Sequence, residues 1–165
     1  MSMIRLIDYI FKPQAVYAHC DVPCGIYDPH EAQMAAHTVI RMTKMLDELP
    51  LASDKVEDRK KFVHQVSRLT KVKEEHAELV KHQIRIIWGD YFKAELLEKN
   101  KDLHNLVFKI MKLASKARQE INLETAQELL ESVQKFAEIF WKSKDRETIR
   151  IKSGYPTEGE IVIPK

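Results

Sequence analysis

The chain has 165 residues, 44% of them hydrophobic, enough for one domain with a real core and too few to expect two. Its 27 basic and 25 acidic side chains leave a net charge of only +2 and are interleaved throughout, which excludes nucleic-acid or other polyanion binding as an organising function. No apolar run approaches the roughly 20 residues that span a bilayer, and two cysteines four positions apart cannot staple distant parts of a fold, so a membrane span and a disulfide framework are also excluded.

Residues 1–18 carry an apolar patch of Ile4, Leu6, Ile7, Ile10 and Phe11 that Arg5 and Asp8 interrupt and Lys12 closes. That is a poor secretory core, which needs a continuous apolar run. On composition alone the leader is an amphipathic segment packed on the domain. The chemistry that begins at His19 turns the reading toward a removable pro-segment.

Both cysteines fall in the next stretch, His19-Cys20-Asp21-Val22-Pro23-Cys24-Gly25-Ile26-Tyr27-Asp28-Pro29. Pro23 and Gly25 oppose a helix here, so a compact loop is expected. If the chain is cut before His19, the new terminal amine and the amide nitrogen of Cys20 close one chelate ring on a metal ion. That amide and the Cys20 thiolate close a second ring, and Cys24 completes a planar set of two nitrogens and two sulfurs, with the His19 imidazole left as an axial ligand. Planar nitrogen–sulfur coordination suits Ni(II) or Cu(II) better than tetrahedral zinc. Without the cut, a structural metal site, a redox dithiol or two free cysteines are the better readings.

Asp28 is a fitting N-cap, Pro29 a fitting first helical residue and Glu31 a fitting third member of a capping box. A first helix is therefore expected up to Pro50, with Ala32, Ala35, Ala36, Val39, Met42, Leu46 and Leu49 on one face. A long second helix is expected over about 54–88, capped by Ser53 or Asp54 and ended by Gly89-Asp90; a third over about 100–118; a fourth over about 123–143. Four apolar stripes joined by short connections predict an all-α, antiparallel up-and-down four-helix bundle behind the loop. Residues 19–147 hold the loop and the bundle, and 148–165 form a C-terminal extension, mobile slightly ahead of a marginal hairpin.

The other histidines, His30, His37, His64, His76, His82 and His104, make no ligand motif, and Glu74, Glu75 and Glu78 lack the repeated Glu-x-x-His of a di-iron site. They are expected as structural or solvated groups. The basic clusters Lys71-Val72-Lys73 and Lys109, Lys112, Lys116 are expected as solvated helix faces.

The run His-Cys-Asp-Val-Pro-Cys-Gly-Ile-Tyr at 19–27 resembles the nickel hook of nickel-containing superoxide dismutases. The likeness returns in Ala77-Glu78-Leu79-Val80-Lys81-His82, in Trp88-Gly89-Asp90-Tyr91-Phe92-Lys93 and in Ile139-Phe140-Trp141, covering about residues 19–144. It implies disproportionation of superoxide to dioxygen and hydrogen peroxide by Ni(II)/Ni(III) cycling, with one nickel ion per subunit held by His19, Cys20 and Cys24. It also implies trimming before His19 by a processing peptidase, assembly into a homohexamer, and a soluble, cytoplasmic protein with no nucleic-acid or membrane partner. Asp21 and Tyr27 are implied to order water and limit access, Pro23 to shape the turn, Tyr91 to support the ligands from outside, and Lys81 or Lys93 to attract the anion. Two positions depart from the family's pattern: Ala35 and His76 stand where a glutamate and an arginine orient the axial imidazole, and His76 is the candidate to replace the arginine in part as a donor. A non-enzymatic nickel- or copper-binding bundle is the alternative.

Overall fold

The structure, a computed structural model, describes residues 25–51 and 53–165. The leader and the loop residues His19, Cys20, Asp21, Pro23 and Cys24 lie outside the described residues. From Gly25 onward the chain forms helices α1 (His30–Asp47), α2 (Val56–Ile86), α3 (Ala94–Lys99), α4 (Leu103–Gln119) and α5 (Leu123–Ser143), then strands β1 (Thr148–Lys152) and β2 (Glu160–Pro164).

Helix α1 starts one residue later than the sequence marks it, with Pro29 rather than Asp28 at the N-cap; the Asp28 carboxylate accepts from the His30 N–H at 2.8 Å just ahead of it. The capping box does not close, because Glu31 accepts instead from the Gln83 amide across on α2. That contact pairs the beginning of α1 with the end of α2 and so fixes their antiparallel sense. No side chain caps α2, which begins after Lys55 rather than at Ser53 or Asp54. Its 31 residues extend about 46 Å. Helix α5 has a true cap, the Asn122 side chain accepting from the Thr125 N–H at 2.9 Å.

Each long helix packs against two others, α1 on α2 and α5, and α4 on the same pair, so the four enclose one core. The apolar stripes meet there, with Val39, Val80, Ile84, Leu103, Ile110, Leu129, Val133, Phe136 and Phe140 excluded from solvent. Burying each such side chain contributes on the order of 2 kcal/mol, which is why a chain with few glycines and regular stripes settles as a bundle.

Three departures from expectation follow from local or long-range packing. Gly89-Asp90 does not end the second helix. The chain instead widens into a π-helical turn, Ile87–Tyr91, in which the Phe92 N–H reaches the Ile87 carbonyl at 3.4 Å. The extra residue per turn lets both Ile87 and Phe92 enter the core. The short α3 follows, its Leu96 and Leu97 packed on the bundle.

Lys73 is not on a solvated face: it is 2% exposed, and its Nζ donates to the carbonyls of Ala117, Arg118 and Glu120 at 2.6, 3.2 and 2.6 Å. The ammonium thereby satisfies the unpaired carbonyls at the end of α4. Residues 148–165, for which the sequence puts a mobile extension slightly ahead of a hairpin, form an antiparallel hairpin with Ile149 opposite Ile163 and Ile151 opposite Ile161. It packs against α1 and α5, and Val162 is 1% exposed.

Candidate metal centre

The described chain begins at Gly25, whose φ of +70° is the left-handed conformation glycine adopts without strain. That conformation directly follows Cys24 and leads the chain toward α1. Tyr27, half-buried against the core, sets its ring 5.7 Å from that of Tyr91 at an interplanar angle of 53°. Tyr91 closes the π-helical turn, so the turn that brings Phe92 into the core also delivers Tyr91 to Tyr27.

Tyr91 is held on several sides. Its ring lies 4.9 Å from Phe140 and 5.1 Å from Phe92. Its hydroxyl is 2.8 Å from that of Ser143, and Ser143 Oγ donates to the Phe140 carbonyl at 2.6 Å. A serine hydroxyl has one proton to give, so Tyr91 donates to Ser143 and its own proton is committed. The Lys144 ammonium stands 5.3 Å from the Tyr91 ring centroid, 4.9 Å from Phe140 and 6.0 Å from Trp141. A cation over three ring faces is stabilised by their quadrupoles. On the other side of the turn, the Trp88 indole donates to His104 Nδ1 at 3.1 Å, tying the turn to α4.

Of the sequence-nominated residues, Tyr27 and Tyr91 are therefore brought together. Ala35 is buried in the core and has no polar atom with which to orient an imidazole. His76 is half-buried, with Nδ1 2.8 Å from the Val72 carbonyl of its own helix. A carbonyl only accepts, so the proton sits on Nδ1, and neutral His76 offers a bare Nε2 that accepts rather than donates. Lys81 is turned to α4, donating to Ser115 Oγ at 2.7 Å, and Lys93 is exposed ahead of α3. Sequence reasoning passed over Lys144 and Ser143. The signal for Lys144 was available in Phe140 and Trp141 at i−4 and i−3, the helical spacing that stacks a long side chain over rings.

The carboxylates Glu74, Glu75 and Glu78 are occupied by ion pairs, Glu78 with Arg85 at 2.9 Å and Arg118 at 3.0 Å. Among the described residues no group of three or more His, Cys, Asp or Glu side chains is arranged to hold a metal ion. Thiols and a neighbouring imidazole occur together only at His19-Cys20 and Cys24.

The family model for nickel-containing superoxide dismutase matches residues 14–144. This chain belongs to the nickel-containing superoxide dismutase family. It is 36% identical over 140 residues to the proteins named superoxide dismutase [Ni] from Streptomyces seoulensis and from Streptomyces coelicolor, in each case covering 84% of this chain and 98% of the relative. A native structure of nickel superoxide dismutase superposes with a TM-score of 0.65 at 35% identity, covering 76% of this chain and 99% of that one. The nickel-containing superoxide dismutase match takes in the hook, the four long helices and Lys144, and it stops before the hairpin.

Proposed function

We propose that this chain is a nickel superoxide dismutase that becomes active when residues 1–18 are removed. The observation that carries the reading is the retention of His19, Cys20 and Cys24 at the head of a family match running through residue 144. The donor chemistry fits the metal: two thiolates within one short loop, with an amine, an amide nitrogen and an imidazole gained at a new His19 terminus, are the ligands that stabilise oxidised nickel. When bound, nickel supplies one-electron cycling between Ni(II) and Ni(III). Two superoxide anions and two protons give dioxygen and hydrogen peroxide, so nothing else is consumed.

The chain's own residues divide the remaining work. Cys20 and Cys24 would hold the ion and set its potential, with His19 as a further ligand. Pro23 would shape the loop that brings Cys24 back toward Cys20. Asp21 and Tyr27 border the approach, order water and exclude larger anions. Tyr91 braces Tyr27 by ring contact, and its proton, committed to Ser143, is withheld from peroxide. Ala35 and a neutral His76 offer no donor with which to orient an imidazole, so weaker support for His19 as a ligand is part of the proposal. The processing peptidase, the homohexamer, one nickel per subunit and a cytoplasmic location belong to the same reading and rest on the family's pattern.

The test is to produce the chain with nickel and a processing peptidase, weigh the intact product and assay superoxide removal beside the Ni(III) spectrum. Trimming to His19 with activity that Cys20→Ser or Cys24→Ser abolishes is expected. A trimmed, nickel-loaded chain without turnover would leave a metal-binding bundle, and activity surviving either substitution would remove the proposed site.

A further inference from the structure

The hairpin at 148–165 lies beyond the residues that the family model matches, yet it is fastened to the fold at buried points. Gln33 of α1 exchanges two hydrogen bonds with Val162 of β2. One residue before the start of that strand, Gly159 lies so close to His37 of α1 that a Cβ at this position would stand 2.8 Å from the His37 Cε1. His37 is 3% exposed, with Tyr155 edge-on to its ring at 5.1 Å. Its Nε2 meets the Glu160 carbonyl at 3.1 Å and its Nδ1 meets the Thr157 hydroxyl at 2.8 Å. Gln134 of α5 donates to the same Glu160 carbonyl at 2.6 Å.

The Glu160 carbonyl only accepts, so Nε2 carries a hydrogen, whereas the Thr157 hydroxyl can rotate either to donate to Nδ1 or to accept from it. What opposes a second proton is burial, because it would place a charge where solvent is excluded.

We propose that the hairpin is a clasp joining the first turns of α1 to α5, closed while His37 is neutral and opened when the ring takes a second proton. The charged groups around the ring divide. Arg41, one turn along α1, opposes the imidazolium, whereas Glu131 of α5 and Glu160 of the hairpin border the same cavity and favour it. Burial holds His37 below its ordinary value of 6.5, with the hydrogen bond to the Glu160 carbonyl pulling the other way. Once the clasp opens, the ring regains its ordinary value. The closed form therefore binds fewer protons, so closure is complete above pH 6.5 and weakens as pH falls below it, by up to about tenfold per pH unit until the latched value is reached. Gln33 and His37 sit in about the first two turns of α1, which begins three residues after Tyr27, so opening frees the helical start beside the candidate centre. That consequence rests on the dismutase reading, while the clasp does not.

Hydrogen exchange of the Val162 amide in the full, metal-free chain tests it, because this N–H is bonded to Gln33 Oε1 only while the clasp is shut. After correction for intrinsic exchange, its opening constant is expected to rise from pH 7.5 to 5.5, most of the rise falling below 6.5 and by less than about tenfold per unit, while that of Leu129 in the core stays level. In His37→Gln the amide can donate to Glu160 and accept from Thr157 but cannot take a proton, so the Val162 constant should be flat. A flat constant in the unmodified chain overturns the clasp, whether or not the variant docks. An equal rise in the variant overturns the assignment to His37.

Discussion

Gln33 and Val162, 129 residues apart, exchange two hydrogen bonds: Gln33 Nε2 donates to the Val162 carbonyl at 3.0 Å, and Gln33 Oε1 accepts from the Val162 N–H at 2.7 Å. A side-chain amide thus takes the place of a third strand along the edge of β2. Gln33→Leu keeps the volume and orphans both peptide groups, each at about 1–3 kcal/mol if it stays buried. The cheaper outcome is release of the hairpin. Loss of Val162 amide protection with a retained helical spectrum is the expected result.

Lys73 should be costly to neutralise. Lys73→Met preserves the stem but leaves the Ala117, Arg118 and Glu120 carbonyls without their shared donor. Destabilisation on the order of 3 kcal/mol is expected by chemical denaturation. Lys71→Met, at an exposed position two residues away, should cost almost nothing.

Glu78 links α2 to α4 through Arg118 and is paired with Arg85 on its own helix. The Arg85 hydrogen bond, with the charges of Arg85, Lys81 and Arg118, holds its carboxyl below the usual 4.5 against the smaller effect of burial. A depressed folded value contributes stability above 4.5 that fades as pH falls through the depressed value. The pair is partly exposed, so the contribution is small and salt-sensitive. Glu78→Gln should flatten the acid limb of the stability curve, and added salt should reduce the difference between variant and parent at pH 7.

His76 should show a single tautomer. With the Val72 carbonyl on Nδ1, nitrogen chemical shifts of the neutral ring should place the hydrogen on Nδ1 and the lone pair on Nε2. If the lone pair is found on Nδ1 instead, the argument that neutral His76 cannot donate toward an axial imidazole fails with it.

Tyr91→Phe removes the donor to Ser143 and leaves the ring contacts with Tyr27 and Phe140 in place. A stability loss of about 1 kcal/mol is expected. Under the proposed function, turnover should keep its dependence on proton concentration, since the lost proton was not available to peroxide.

The bundle was legible because helix-forming stripes announce their own period, and Asp28-Pro29 mark the start of α1 to within one residue. The donor set was legible for a related reason: its ligands fall within six residues, so no long-range folding is needed to see them. Lys73 was misread as a solvated charge because composition was weighed without position. Leu69, Lys73, Ala77, Val80 and Ile84 form one buried stripe, and Lys71 falls on the other side of the helix. The π-helical turn and the docked hairpin were hidden for a different cause. Each is decided by what lies opposite in space, Phe92 against Phe136 and Glu160 against His37, and neither partner is marked in the local sequence.

Helix α2 outruns its neighbours, 31 residues against 18 in α1 and 17 in α4, and none of its fully buried side chains precedes Leu69. Its opening three and a half turns are thus a cantilever, anchored at one end and carrying Val56 and Val63 in water. Such a rod unravels from its free tip while its root stays as firm as the bundle, so proteases should nick it progressively from Val56 inward and stall near Leu69.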